Sequence, residues 1–236
     1  MISDIFTSGT LEMASTPVPI PVEAAQWGTF TVNRIAITVA VLLLVADLAD
    51  IIGLMPHLKE CFFRARGNLG LEHNVRDARS RNLCALICTL PFCLVADRYS
   101  LFRPEIFEGI GLGWSLAVTF GVLMTTFLLH LLSKALMRPP RMDSEEYTAA
   151  HCCSWTYFII FCAIMLLAVG IMNLAGASDA LIRNVLYALA AIFYLLSLRR
   201  CRQILSFRMG GLSTILYLCG LKILPMAPAM VLALFF

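Results

Sequence analysis

Six apolar runs constrain what this chain can fold into: Ile35–Met55, Leu83–Ala96, Ile110–Leu132, His151–Ala175, Leu181–Leu198 and Gly211–Phe235. A helix needs about 20 such residues to cross roughly 30 Å of hydrocarbon. Composition agrees with that reading. Apolar residues make up 60% of the 236 and charged residues 14%, with a mean hydropathy of +0.83. An average soluble domain carries about 25% charged residues. A disordered chain is excluded, because disorder requires low hydrophobicity, and a soluble globular domain is disfavoured. The net charge of +3 is too small and too scattered to suggest nucleic acid as a partner.

The expected fold is an all-α membrane protein: a bundle of six transmembrane helices in a single domain, residues 34–236. Residues 1–33 form a polar, proline-containing N-terminal segment. Pro17, Pro19 and Pro21 stiffen it towards an extended conformation, and it lacks the basic and apolar regions of a signal peptide. The second run is short and contains Pro91, so charge decides whether it crosses. Cytoplasmic loops are enriched in Lys and Arg. Segment 57–82 holds six, 133–150 holds three and 199–210 holds four. Six crossings place all thirteen on one side, against Arg34, Arg98, Arg103 and Arg183 on the other. Without the second crossing this bias largely vanishes. Both termini are therefore expected outside, in the periplasm, with the second helix lengthened by snorkelling of Arg81 and Arg98.

Ionisable groups at membrane depth are costly, and each is a candidate site. They are Asp47 and Asp50 in the first run, His130 in the third and Lys222 in the sixth. Asp47 and Asp50 are three residues apart and would share a helix face. At 1.5 Å per residue, Asp47 lies about 18 Å from one face and Lys222 about 16 Å from the other. Lys222 is thus expected to meet Asp47 or Asp50, as an ion pair fixing helix packing or as a proton- or ion-coupled relay. Pro225 and Pro228 break the sixth helix and free the carbonyls of Leu221 and Leu224.

His151, Cys152, Cys153, Cys84 and Cys88 are weak metal-ligand candidates. No CxxC pair or known ligand spacing supports them, and neither metal nor cofactor is expected. The cysteines read as small apolar residues. Gly111, Gly113, Gly121, Gly170 and Ala168 are expected to let helices approach closely. No nucleophile, acid–base or phosphate-binding motif points to a catalytic residue.

The tract Ser213-Thr214-Ile215-Leu216-Tyr217-Leu218-Cys219-Gly220-Leu221-Lys222-Ile223-Leu224-Pro225 resembles the end of an uncharacterised multi-pass membrane family of Bacteroidota, a domain of unknown function. The resemblance implies a bacterial inner membrane and brings no activity with it. The expected function is a non-enzymatic accessory or assembly role. The alternatives are a small-solute or ion transporter with an intramembrane Asp/Lys site, or a lipid-modifying enzyme with phosphate held by Arg98, Arg103 and the basic loops. Membrane lipids are the expected partners, with protein partners or a second copy of the chain also considered.

Overall fold

A computed structural model of the chain describes residues 27–102, 112–136, 144–206 and 210–227. All regular structure among them is helical. In chain order the helices are α1 (Thr31–Ala46), α2 (Leu48–Phe63), α3 (Ala65–His73), α4 (Val75–Arg98), α5 (Leu112–Leu136), α6 (Ser144–Leu174), α7 (Asp179–Ser206) and α8 (Gly211–Leu218). A π-helical turn, Cys219–Ile223, continues α8. Four helices, α4 to α7, are long and apolar enough to cross a membrane, and the bent pair α1–α2 makes a fifth candidate.

Much of the surface of these helices is apolar, and their interior holds charged groups as well as an apolar core. Val45, Leu167, Leu174 and Leu195 are exposed, whereas Arg81, Asp97, His151, Thr156 and Lys222 are buried. Lipid reverses the usual solvent preference, so unpaired polar groups turn inward.

The first run is not one helix. It breaks at Asp47 (φ −90°, ψ 0°), and the two halves meet at 64°. Asp47 loses none of its own backbone bonds at the break: its N–H reaches Leu43 O at 3.0 Å and its carbonyl accepts from Ile51 at 2.9 Å. The bend separates the two carboxylates expected on one face. Asp47 is buried and Asp50 is exposed.

Helix α7 serves as a ruler for this pair. Its first residue, Asp179, pairs with Arg98 at the end of α4 (3.3 Å). Its Arg200 lies about 30 Å further along, at 1.5 Å per residue. Trp27, just before α1, bonds Asp97 beside the first of these marks. Phe62, at the end of α2, accepts a bond from Arg200 at the second. The pair α1–α2 therefore runs from one end of the bundle to the other.

The second run becomes part of a 24-residue helix that begins at Val75. Snorkelling of Arg81 is not how it gains length. Arg81 is 1% exposed and is turned inward onto Glu72 at 2.5 Å. Asn74 caps this helix by accepting from Arg76 N–H at 3.1 Å. The sixth run is helical over 211–227, with the π turn just before Pro225, so Pro225 does not end the helix as expected; residues 228–236, with Pro228, lie outside the described residues.

The core forms where α4 meets α6 and α7. Cys84, Ala85, Ala96, Ala150, Cys153 and Cys201 are fully buried there, with Met165, Ile182 and Leu186 filling the space between them. Small side chains let helix axes approach and gain dispersion energy. Two of the glycines expected to do this do not: a Cβ on Gly121 or Gly170 would meet nothing within 4 Å, and Gly111 lies outside the described residues. Gly67 is the tight one. A Cβ there would lie 2.8 Å from the carbonyl carbon of Glu60, because α3 folds back onto the end of α2. All nine cysteines are free thiols and eight are buried, in keeping with their use as small apolar residues.

Candidate functional site

Buried polar groups gather at three places in the bundle. The first is the break at Asp47, held between the end of α1 and the start of α2. The side chain is 5% exposed. The Cys84 thiol on α4 lies beside its carboxyl group, while Oδ2 has no hydrogen-bond partner among the described residues. A buried carboxylate oxygen without a donor costs free energy. The C-terminus of α1 and the N-terminus of α2 meet at the same point, so their dipole ends largely offset each other there. A proton or a small cation bound at Oδ2 would offset the cost of the unpartnered oxygen.

The second place surrounds Lys222. The amine is 4% exposed and reaches across to α6. It donates to the backbone carbonyl of His151 at 2.8 Å and, at short range, to Ser154 Oγ. Ser154 Oγ in turn donates to the His151 carbonyl at 3.0 Å. The three groups close a triangle. The His151 ring stacks on His130 of α5, with centroids 4.1 Å apart and planes 23° from parallel. Lys222 sits in the π-helical turn beside buried Pro225. The Lys222 carbonyl accepts from Tyr194 OH on α7 at 3.2 Å. The expected pair of Lys222 with Asp47 or Asp50 is not formed. The wider turn aims the amine at α6, and a backbone carbonyl takes the place of the carboxylate.

The third place centres on Asp97, one residue past the end of the second apolar run. It is 2% exposed and accepts three bonds: from Trp27 Nε1 (2.6 Å), Ser115 Oγ (3.1 Å) and Thr119 Oγ1 (3.4 Å). The chain before α1 and helices α4 and α5 are thereby tied together. The signal was available: Ser115 and Thr119 are polar at helical spacing i, i+4 in an otherwise apolar run.

The weak metal candidates are dispersed. Cys84 faces Asp47, Cys88 pairs with Cys162, and His151 stacks on His130. Cys153 lies near Cys61, Cys201 and Lys222. Among the described residues, no three His, Cys, Asp or Glu side chains converge as a metal ion requires. Arg98 is occupied by Asp179 and by the Tyr99 ring, 5.2 Å from its guanidinium, and Arg103 lies outside the described residues. Comparison with protein-family models, with curated proteins and with solved structures gives no match.

Proposed function

We propose that the chain is a six-crossing protein of a bacterial plasma membrane, with both termini outside. In this reading it binds a proton or small monovalent cation at Asp47 and couples its passage to that of a small solute. One observation carries it: a buried carboxylate stands at the break of a bent crossing with one oxygen unpartnered. Substrate and ion sites of known carriers lie at discontinuous helices near the bilayer midplane. Asp47 works here without Lys222, which is bound elsewhere. The distribution of Lys and Arg supports the orientation.

A second reading, a non-enzymatic accessory or assembly protein, is favoured by a different observation. Arg81, Asp97 and Lys222 direct their hydrogen bonds into the bundle, where they hold chain segments together. A lipid-modifying activity gains least, since Arg98 is already paired.

The experiment uses purified protein in liposomes with an internal pH or sodium reporter and an imposed membrane potential. Wild type and Asp50→Asn are expected to conduct the ion, and Asp47→Asn is expected not to. Undiminished flux in Asp47→Asn, or none in wild type, overturns the carrier reading and leaves the accessory one.

A further inference from the structure

The basic run Arg199-Arg200-Cys201-Arg202 at the end of α7 is divided by the fold into two parts with different work. Arg200 turns inward. Its Nε donates to Tyr157 OH at 3.3 Å, one terminal nitrogen donates to Gln203 Oε1 at 2.9 Å, and the other reaches the Phe62 carbonyl. Cys201 is fully buried, with its thiol 3.5 Å from the Ala150 carbonyl. Arg199 and Arg202 turn outward. Both are exposed, and neither forms an ion pair among the described residues.

These two arginines line a cleft of about 530 Å³ with Gln203, Ser206, Leu198 and, from α8, Leu218. The cleft is the polar half of a larger surface. At one end stand two guanidinium groups, each able to grip a phosphate through paired N–H bonds. Beside them the Gln203 amide nitrogen keeps its donors, because Arg200 takes only its oxygen. Beyond the cleft the same face of α7 continues through exposed Leu195 and Ile192, one and two turns further along the helix. Leu212 and Leu216 are exposed on α8. A free anion would use the first half only. A phospholipid uses both.

We propose that this cleft binds one anionic phospholipid, its phosphodiester held by Arg199 and Arg202 and its acyl chain laid along the Leu195–Ile192 stripe. Charge complementarity selects the anionic headgroup, and the continuous apolar stripe selects a lipid. A basic run that only sets topology needs no cleft and no division of its arginines. The site is distinct from Asp47 and does not depend on what Asp47 binds.

The test is lipid binding by the purified full chain, read by native mass spectrometry with phosphatidylglycerol and phosphatidylcholine. Wild type is expected to retain one phosphatidylglycerol in preference to phosphatidylcholine. Arg199→Gln with Arg202→Gln is expected to weaken that binding about thirtyfold, and each single change about fivefold. Lys59→Gln, at the apolar groove between α2 and α6, is expected to leave it unchanged. Equal melting temperatures in zwitterionic detergent are expected for wild type and the single variants, so that weakened binding is read on folded protein. Equal retention of the two lipids overturns the proposal, as does undiminished phosphatidylglycerol binding by the double variant. Displacement of the lipid by millimolar inorganic phosphate also overturns it, because the site would then be one for a free anion.

Discussion

Trp27 and Asp97 are seventy positions apart and are joined by a 2.6 Å hydrogen bond from the indole N–H to the carboxylate. The bond closes the chain before α1 onto the far end of α4. It also sets one end of the bent crossing. Ser115 and Thr119 add donors from α5, so one carboxylate holds three parts of the chain.

Hydrogen bonds to a charged group contribute about 1.5–3 kcal/mol each. Trp27→Phe is therefore expected to lower stability by about 2 kcal/mol. Asp97→Ala, which strands three donors, is expected to cost more than Trp27→Phe does. Thermal unfolding in a mild detergent checks this. A Trp27→Phe variant as stable as wild type would show that the bond is not made in the folded protein.

Lys222 and Asp47 make no contact, so their substitutions are expected to add independently, within about 0.5 kcal/mol. Lys222→Met is expected to stay within about 1 kcal/mol of wild type, because Ser154 Oγ keeps its bond to the His151 carbonyl. A double-mutant cycle of Lys222→Met and Asp47→Asn reads both numbers. A coupling above about 1 kcal/mol would place the two side chains together.

Gly67→Ala is expected to destabilise by about 1–3 kcal/mol, the range for overpacking. Its Cβ would lie under 3 Å from backbone atoms of Glu60 and Cys61. Gly121→Ala, in open space on α5, is expected to gain up to about 1 kcal/mol from helix propensity alone. Opposite signs in the two variants are the outcome to look for in a denaturant titration.

Ser100 closes α4 with φ +53°, a left-handed conformation that favours glycine. The turn is a Schellman motif: Leu101 N–H bonds Ala96 O at 2.8 Å and Ser100 N–H bonds Asp97 O at 3.1 Å. Helix α6 ends the same way, but with Gly176 at φ +68°. Ser100→Gly is expected to raise stability by about 1 kcal/mol, measured by the midpoint of thermal unfolding. Ser100→Val is expected to lower it, because a β-branched residue tolerates this conformation least.

Sequence alone determined that the chain is helical and built for a membrane, because hydropathy along the backbone is a local property and lipid leaves few alternatives. It also placed Asp47, Asp50, His130 and Lys222 at membrane depth, since depth follows from counting residues, but it did not tell buried Asp47 from exposed Asp50. Partnership was not legible. Which way Lys222 points depends on a π-helical turn, and which face Asp47 presents depends on a 64° bend. Each is a rotation about the helix axis that residue counting cannot register. The same holds for Arg81 and Arg200, which composition cannot tell from their exposed neighbours. A basic residue near a helix end either snorkels or turns inward, according to whether a carboxylate, hydroxyl or carbonyl from another helix is waiting. Glu72 for Arg81, and Tyr157 and Phe62 for Arg200, are brought there only by the packing of the bundle.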